Sequence, residues 1–271
     1  MRRFGGFVLA LSLAGLLAAS PSLGQDLGLS LTEPAPYRAA QTGQELRSDI
    51  SGLRPARLLV IGDSLAQGFG FVLETRVPEQ ELLISVRNDA RISTGLSRAD
   101  FYDWPAHFAQ MAAEQAPDIV VIHFGSNDMQ AILADGGRTA LRSAEWEVQY
   151  RRQIRKILEI AAQYQIITYW LGPAPDKHRN LNAHLARINP WIAQEAAAAG
   201  AVYLPLSPLT AAPDGSYARA VGGAVLRTGD GSHFTARGYR LVVDHLLGQI
   251  TARFAQLAPS PVDLLAQMAL Q

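Results

Sequence analysis

Residues 58–70 read LLVIGDSLAQGFG, and this segment determines how the rest of the chain can be interpreted. Its first four residues are apolar, which is typical of a strand buried on both faces of a parallel sheet. Gly62 ends the strand, and Asp63 and Ser64 follow where a helix can begin. Open α/β sheets bind ligands beyond the carboxyl ends of their strands. Ser64 is therefore either the N-cap of a helix, a position that Ser and Asp favour, or a reactive group at the mouth of a site.

The composition indicates a globular chain with a large core. Of its 271 residues, 48% are hydrophobic and 18% are charged, which argues against general disorder. The absence of cysteine excludes disulfides, thiolate metal sites and a cysteine nucleophile. Basic and acidic residues balance at 24 each. We therefore predict no nucleic-acid partner, because such partners require a basic surface.

The N-terminal residues have the layout of a secretory signal peptide. A basic tripeptide precedes a mostly apolar run from Phe4 to Ala19, and the small residues Ser22 and Gly24 stand just before Gln25. The apolar run is shorter than the roughly 20 residues of a membrane-spanning helix, which disfavours an uncleaved anchor. We predict that residues 1–24 are a signal peptide, that the protein is periplasmic or secreted, and that it has no stable membrane insertion after cleavage.

The remaining chain is predicted to contain one α/β domain. Residues 25–55 carry three prolines and no sustained period, which predicts an irregular N-terminal arm. Residues 56–257 alternate apolar strands with amphipathic helices, and this pattern predicts a parallel sheet with helices on both faces. Residues 258–271 are a short C-terminal tail. The predicted strands are 58–61, 82–86, 118–124, 166–171 and 201–204, and the predicted helices are 66–75, 103–115, 144–164, 182–199 and a last helix that follows a Thr235 cap.

Three further polar segments stand where ligand-binding loops are expected. Ser93-Thr94-Gly95-Leu96 comes after the second predicted strand, and Gly125-Ser126-Asn127-Asp128 comes after the third. Asp230-Gly231-Ser232-His233 precedes the last helix. Because the carboxyl ends of parallel strands meet at one edge of a sheet, these segments and Ser64 together supply the parts of a serine acyl-transfer site.

Each residue of this constellation has a chemical role. Ser64 is the candidate nucleophile, and His233 is the candidate base that takes its proton. Asp230 lies three residues before His233 in a short loop, so the two side chains can lie on the same side of that loop. The Asp230 carboxylate can then orient the His233 imidazole. The backbone N–H groups of Ser64 and Gly95 and the side-chain amide of Asn127 are candidate donors to the oxyanion of a tetrahedral intermediate.

The four segments resemble the sequence blocks of the SGNH, or GDSL, hydrolase superfamily. Gly62-Asp63-Ser64 is similar to its Gly-Asp-Ser block, and Gly95 to its lone Gly. The segment 125–128 is similar to its Gly-x-Asn-Asp block, and 230–233 to its Asp-x-x-His block. The resemblance implies a flavodoxin-like, three-layer α/β/α fold with a five-stranded parallel sheet. It also implies that Ser64 is the nucleophile, His233 the base and Asp230 the carboxylate that orients the base. The oxyanion hole that it implies consists of Ser64, Gly95 and Asn127.

Several other residues allow two interpretations. Asp63 and Asp128 are predicted to brace their loops through backbone N–H groups rather than to act on substrate. His123 could line the site, but a place in the core is favoured. Arg227 either steers an anionic substrate or braces its loop, and bracing is favoured. Three aromatic residues after the Gly95 loop have two possible places: they either line the pocket for the acyl group or the sugar, or they pack in the core. These residues are Phe101, Tyr102 and Trp104.

The predicted activity is hydrolysis of a carboxylic ester by a serine esterase, through an acyl-enzyme on Ser64. The predicted partner is a small-molecule or glycan ester that carries a short acyl group. No segment has metal-ligand spacing or a phosphate-binding loop, so no metal and no cofactor are predicted. One alternative keeps the triad but transfers the acyl group to a sugar hydroxyl. A second alternative is a non-catalytic binding or assembly protein with the same fold.

Overall fold

The computed structural model describes residues 55–134 and 137–257. The predicted segments 1–24 and 258–271, and all but the last residue of the arm 25–55, lie outside the described residues. The main sheet contains β1 (Ala56–Gly62), β2 (Ile84–Asn88), β3 (Ile119–His123), β6 (Ile167–Gly172) and β7 (Val202–Pro205). Two short hairpins are formed by β4 (Ile132–Ala134) with β5 (Gly137–Thr139) and by β8 (Ala220–Val221) with β9 (Ala224–Val225). The helices are α1 (Ser64–Glu79), α2 (Trp104–Gln115), α3 (Ala144–Gln163), α4 (Arg179–Ala198), α5 (Ser207–Thr210) and α6 (Ala236–Leu257).

The main sheet has the strand order β2-β1-β3-β6-β7, and all of its pairings are parallel. This is the flavodoxin-like order of a doubly wound sheet. The chain passes from β1 outward to β2 and then returns across β1 to form β3. The loops that follow β1 and β3 therefore diverge at this point, and ligands of such sheets bind at the crevice between them. The predicted five-stranded parallel sheet is confirmed.

Helices cover both faces of the sheet and form three layers. Leu58 and Val60 point towards α1 and α6, whereas Leu59 and Ile61 point towards α2, α3 and α4. Each of these four side chains is at most 1% exposed, and burying a side chain of this size contributes about 1.5–3 kcal/mol. The three-layer α/β/α prediction is thus confirmed. Within the described ranges, no helix is both long and apolar enough to cross a bilayer.

The start of α1 shows how the sequence places Ser64. The Asp63 side chain accepts hydrogen bonds from the N–H groups of Leu65 and Ala66, at 2.9 and 3.3 Å. Asp63 is therefore the N-cap, and Ser64 is the first helical residue. The interpretation of Ser64 as the cap is wrong, because the neighbouring carboxylate satisfies the unpaired N–H groups and leaves the hydroxyl available. The predicted Thr235 cap is confirmed, since its hydroxyl accepts a helix N–H. Asp103 and Ser143 cap α2 and α3 in the same way.

Helix α1 is longer than the predicted segment 66–75. Gly68 and Gly70 are weak helix formers, so the sequence predicts only a short helix here. Both lie at close contacts: a Cβ at Gly68 would clash with the Tyr239 ring of α6, and one at Gly70 would clash with Asn88 at the end of β2. The glycines let α1 approach both elements, and this packing outweighs their low helix propensity.

Candidate active site

The structure places Ser64, His233 and Asp230 in one chain of hydrogen bonds. Ser64 Oγ lies 2.8 Å from His233 Nε2, and His233 Nδ1 lies 2.7 Å from Asp230 Oδ2. A carboxylate only accepts, so Nδ1 carries the proton and Nε2 is left to accept the hydrogen bond of the Ser64 hydroxyl. These three side chains can therefore move a proton from the hydroxyl to the imidazole.

Asp230 is fixed by its own loop. Its Oδ1 accepts from the Thr228 hydroxyl at 2.7 Å and from the N–H groups of Ser232 and His233 at 2.9 and 3.0 Å. Partial burial alone would raise the pKa of Asp230, but these hydrogen bonds and that of the His233 ring outweigh it, so the pKa lies well below its ordinary value. The carboxylate is therefore ionised at neutral pH and available to stabilise a charged imidazole.

Arg227 and Asp176 brace the loop between Asp230 and His233. The Arg227 guanidinium donates to the carbonyls of Ser232 and Pro175, at 2.6 and 3.0 Å. Burial lowers the pKa of Arg227 to about 10, so it stays charged at neutral pH. The bracing interpretation of Arg227 is confirmed. The Ser232 hydroxyl also donates to Asp176, a contact over 56 positions that no sequence pattern indicated.

The candidate oxyanion donors come from three different loops at the same edge of the sheet. Asn127 donates one N–H of its amide to the Thr94 carbonyl at 2.8 Å, which leaves its second N–H available. Gly95 is the next residue after Thr94. Among the described residues, neither the N–H of Gly95 nor that of Ser64 has an acceptor. A Cβ at Gly95 would clash with the Asp128 carboxylate, so only glycine fits at this position.

Two buried carboxyl groups support these loops from behind. Asp128 accepts from the Ser97 N–H and from the Tyr150 hydroxyl, both at 2.9 Å, and burial raises its pKa to about 6. Burial likewise raises the pKa of Asp63 to about 7, although its bonds from backbone N–H groups oppose the shift. Both side chains are 0% exposed, so they brace their loops, as predicted, and cannot contact a substrate.

His123 belongs to the core, as predicted. It is 1% exposed, and its Nδ1 donates to the Leu171 carbonyl at 2.9 Å. Burial lowers the pKa of His123 to about 4, which keeps the ring neutral near pH 7. The ring edge meets Phe69 of α1, so His123 helps to hold α1 on the sheet.

The three aromatic residues after the Gly95 loop have different surroundings. Trp104 is fully buried and donates its indole N–H to the Thr94 hydroxyl at 3.0 Å. Tyr102 and Phe101 instead line a cleft of about 470 Å³ at the end of β2, which we call the β2 cleft. Gln67, three residues after Ser64, and Thr94 line it as well. Trp104 is thus core, whereas the other two face a cavity next to the candidate oxyanion loop.

Comparison of the sequence with known protein families finds one family that matches most of the chain. The model of the family described as "Protein of unknown function (DUF459)" matches residues 57–249. The chain belongs to this family. The match begins in β1 and ends in α6, and it includes all four sequence segments of the candidate site. No curated protein matches the sequence.

Comparison with solved structures identifies proteins that share this fold. A GDSL-like lipase from Bacteroides thetaiotaomicron VPI-5482 superposes with a TM-score of 0.55 and 16% identity, over 76% of this chain and 95% of that chain. An acetyl xylan esterase superposes with a TM-score of 0.54 and 14% identity, over 72% of this chain and 99% of that chain. The aryl esterase of M. smegmatis superposes with a TM-score of 0.53 and 14% identity, over 73% of this chain and 99% of that chain. At these identities the likeness establishes the fold alone, which is that of the GDSL or SGNH hydrolases, as predicted.

Proposed function

We propose that this protein is a serine esterase that hydrolyses a carboxylic ester through an acyl-enzyme on Ser64. The observation that carries the proposal is the chain of hydrogen bonds from Ser64 Oγ through the His233 ring to Asp230, with distances of 2.8 and 2.7 Å. The esterases and the lipase among the solved proteins with this fold support the same chemistry.

The first half of the reaction forms the acyl-enzyme. Ser64 Oγ attacks the ester carbonyl carbon while His233 Nε2 takes the hydroxyl proton, and the negatively charged Asp230 stabilises the imidazolium. The carbonyl oxygen becomes an oxyanion, which accepts from the N–H groups of Ser64 and Gly95 and from the Asn127 amide. The carbon–oxygen bond to the alcohol then breaks, and His233 returns the proton to the leaving oxygen.

The second half releases the acid. Water loses a proton to His233 and attacks the acyl carbon, and Ser64 Oγ leaves and recovers that proton. The His233 side chain is 42% exposed, so water can reach it without any rearrangement.

The proposed substrate is a short acyl group on a glycan or a small alcohol. An acetyl xylan esterase shares the fold, so an acylated glycan is compatible with it. The proposed place of action is the periplasm or the extracellular space. That part of the proposal rests on the sequence of residues 1–24, with their basic start and apolar run.

A fluorophosphonate probe tests the proposal, because it labels only an activated serine. We expect the wild-type protein to be labelled and Ser64→Ala to remain unlabelled. Ser216→Ala, which changes an exposed serine in a surface turn, is the matched control and should label like the wild type. A wild-type protein that is not labelled would contradict the proposal and favour a non-catalytic binding protein.

Acyl transfer is distinguished from hydrolysis by a second measurement. The free acid and the acylated product are quantified from one ester donor, with and without a glycan acceptor. We expect release of acid at the same rate in both reactions. Formation of an acylated glycan at the expense of acid would identify a transferase that uses the same triad.

A further inference from the structure

The β2 cleft carries an exposed arginine, Arg91, whose backbone is held by two hydrogen bonds. Arg91 donates its backbone N–H to the Gly62 carbonyl at 2.8 Å, and its own carbonyl accepts from the Thr94 hydroxyl at 2.7 Å. These two bonds tie Arg91 to the strand end that precedes Ser64 and to the loop that precedes Gly95. Its side chain therefore lines a cavity whose position relative to the triad is set by backbone hydrogen bonds.

The guanidinium is also oriented by an aromatic ring. It lies 4.9 Å from the centroid of Tyr102, and the His107 ring is stacked on the same tyrosine with a centroid distance of 4.0 Å. Arginine favours such a position, because its planar cation is attracted to the ring face and keeps its N–H groups free for an anion. A side chain that is already oriented loses less conformational entropy when it binds a ligand.

The positive charge of Arg91 has no ion-pair partner in the part of the chain that the structure describes. The acidic residue of the cleft lining is Asp89, whose Oδ2 accepts from Arg87 Nε at 2.7 Å and from the Gln115 amide at 3.0 Å. Asp89 is thus compensated by its own neighbours. Arg91 is thus the charged residue of the cleft lining whose charge is not compensated by a neighbour among the described residues, and it can attract an anion.

We propose that the β2 cleft binds a negatively charged group of the substrate through Arg91, so that the enzyme prefers esters with an anionic substituent. This inference rests on the proposed esterase function and adds the charge of the substrate to it. Gln67 and Thr94 place the cleft beside the nucleophile and the oxyanion loop. The side chains of Ile92 and Phe101 are 60% and 64% exposed, and they offer apolar contacts to the uncharged part of the same molecule.

Two matched pairs of esters test the proposal. In the first pair the acyl part differs in charge: 4-nitrophenyl hemisuccinate against 4-nitrophenyl butyrate. In the second pair the alcohol part differs: 4-acetoxybenzoate against its methyl ester. For each pair, the ratio of kcat/KM between the anionic and the neutral ester is measured in the wild type, in Arg91→Gln and in Arg187→Gln. Arg187 is the matched control, because its guanidinium lies 5.2 Å from the Trp191 ring on α4, outside the cleft lining.

We expect Arg91→Gln to lower this ratio about 10-fold in at least one pair, through a higher KM for the anionic ester. The pair that responds shows whether the anion belongs to the acyl or the alcohol part. The wild-type ratio should also fall as salt is added, since screening weakens an exposed charge pair. Arg187→Gln should keep the wild-type ratio in both pairs.

A ratio that is the same in Arg91→Gln as in the wild type, for both pairs, would overturn the assignment of an anion site. An equal fall in Arg187→Gln would also overturn it, because it would show a general effect of lost charge. Fluorophosphonate labelling of the same preparations separates this outcome from failure of the esterase proposal. Labelled protein without charge preference contradicts the anion site alone, and unlabelled wild-type protein contradicts the esterase function.

Discussion

Ser64 Oγ lies 2.8 Å from His233 Nε2, although 169 positions separate the two residues in the chain. Ser64 begins α1, whereas His233 stands in the loop before α6, and these two helices pack on the same face of the sheet. The contact between the proposed nucleophile and the proposed base is therefore set by the packing of the two helices. In the proposed mechanism the two residues act as a unit.

The first prediction concerns this unit. Ser64→Ala and His233→Ala should each lower kcat by a factor on the order of 10⁴ or more, and the double variant should be little worse than either alone. The reason is that the proton transfer needs both groups, so the second loss removes nothing further. Steady-state kinetics on a neutral nitrophenyl ester provide the measurement. Effects that multiply in the double variant would contradict a shared step.

The second prediction concerns Asn127. Asn127→Ala should lower kcat by roughly 10²–10³ and leave KM nearly unchanged, because a bond to the oxyanion is strongest in the transition state. The control is Asn189→Ala, since the Asn189 amide also donates to a loop carbonyl at 2.8 Å, that of Pro173, but stands on α4. The control should retain kcat. A change of KM alone in Asn127→Ala would assign its amide to substrate binding.

The third prediction concerns Asp230. Its Oδ1 site is surrounded by three donors, so in Asp230→Asn the amide oxygen takes that place and the NH₂ group faces His233 Nδ1. This reverses the imidazole tautomer and removes the charge that stabilises the imidazolium. We expect kcat to fall about 10³- to 10⁴-fold.

The control for Asp230→Asn is Asp214→Asn, whose carboxylate accepts a backbone N–H in an exposed turn. It should keep the wild-type rate. Because the pKa of Asp230 is held well below its ordinary value, its carboxylate stays ionised throughout a pH–rate profile taken above pH 5. A wild-type rate in Asp230→Asn would exclude this residue from the triad.

The fourth prediction concerns stability and pH at Asp63. Burial raises the pKa of this carboxyl to about 7, above the value of about 3.9 for an unfolded chain. The folded state therefore binds the proton more tightly. The stabilisation from this proton is complete below pH 4 and is lost as the pH rises through 7. Asp63→Asn cannot titrate, so the wild type should lose stability relative to this variant between pH 4 and 7.

Urea unfolding of the wild type and of Asp63→Asn at pH 4.5, 6 and 8 measures this difference. Comparing the two proteins at each pH cancels the contributions of groups that do not interact with Asp63, such as His123 and His184, whose pKa values burial lowers to about 4. Asp128 does not cancel, because the charge of Asp63 contributes to its raised pKa. Asp103→Asn, which changes the exposed N-cap of α2, controls for replacing a cap residue. A stability difference that is constant from pH 4.5 to 8 would show that the Asp63 carboxyl is not perturbed.

The fifth prediction concerns export. Protein recovered from the periplasm or the culture medium should begin near Gln25, because Ser22 and Gly24 are small residues of the kind that signal peptidases accept. N-terminal sequencing or intact mass measures the cleavage position. A chain that keeps residues 1–24 and sediments with membranes would indicate an anchor.

Much of the fold could be predicted because its signals are local. The four apolar residues before Gly62 and the similar run before Gly125 identify the central strands β1 and β3 without any knowledge of their neighbours. The hairpins formed by β4, β5, β8 and β9 were missed, because strands of two or three residues are too short to establish a period. The length of α1 was underestimated, because Gly68 and Gly70 are explained only by the side chains packed against them.

By itself the sequence determined the α/β class, the order of the elements and the four loops that carry Ser64, Gly95, Asn127 and the segment 230–233. Hydrophobic periodicity and strand-ending glycines are properties of neighbouring residues, so they can be recognised in the sequence of one chain. Only the tertiary structure decided which groups meet across the sheet edge. The bond from Ser232 to Asp176 and the place of Arg91 over Tyr102 are examples. Such contacts depend on strand order and helix packing, which join residues far apart in the chain, and no local pattern specifies them.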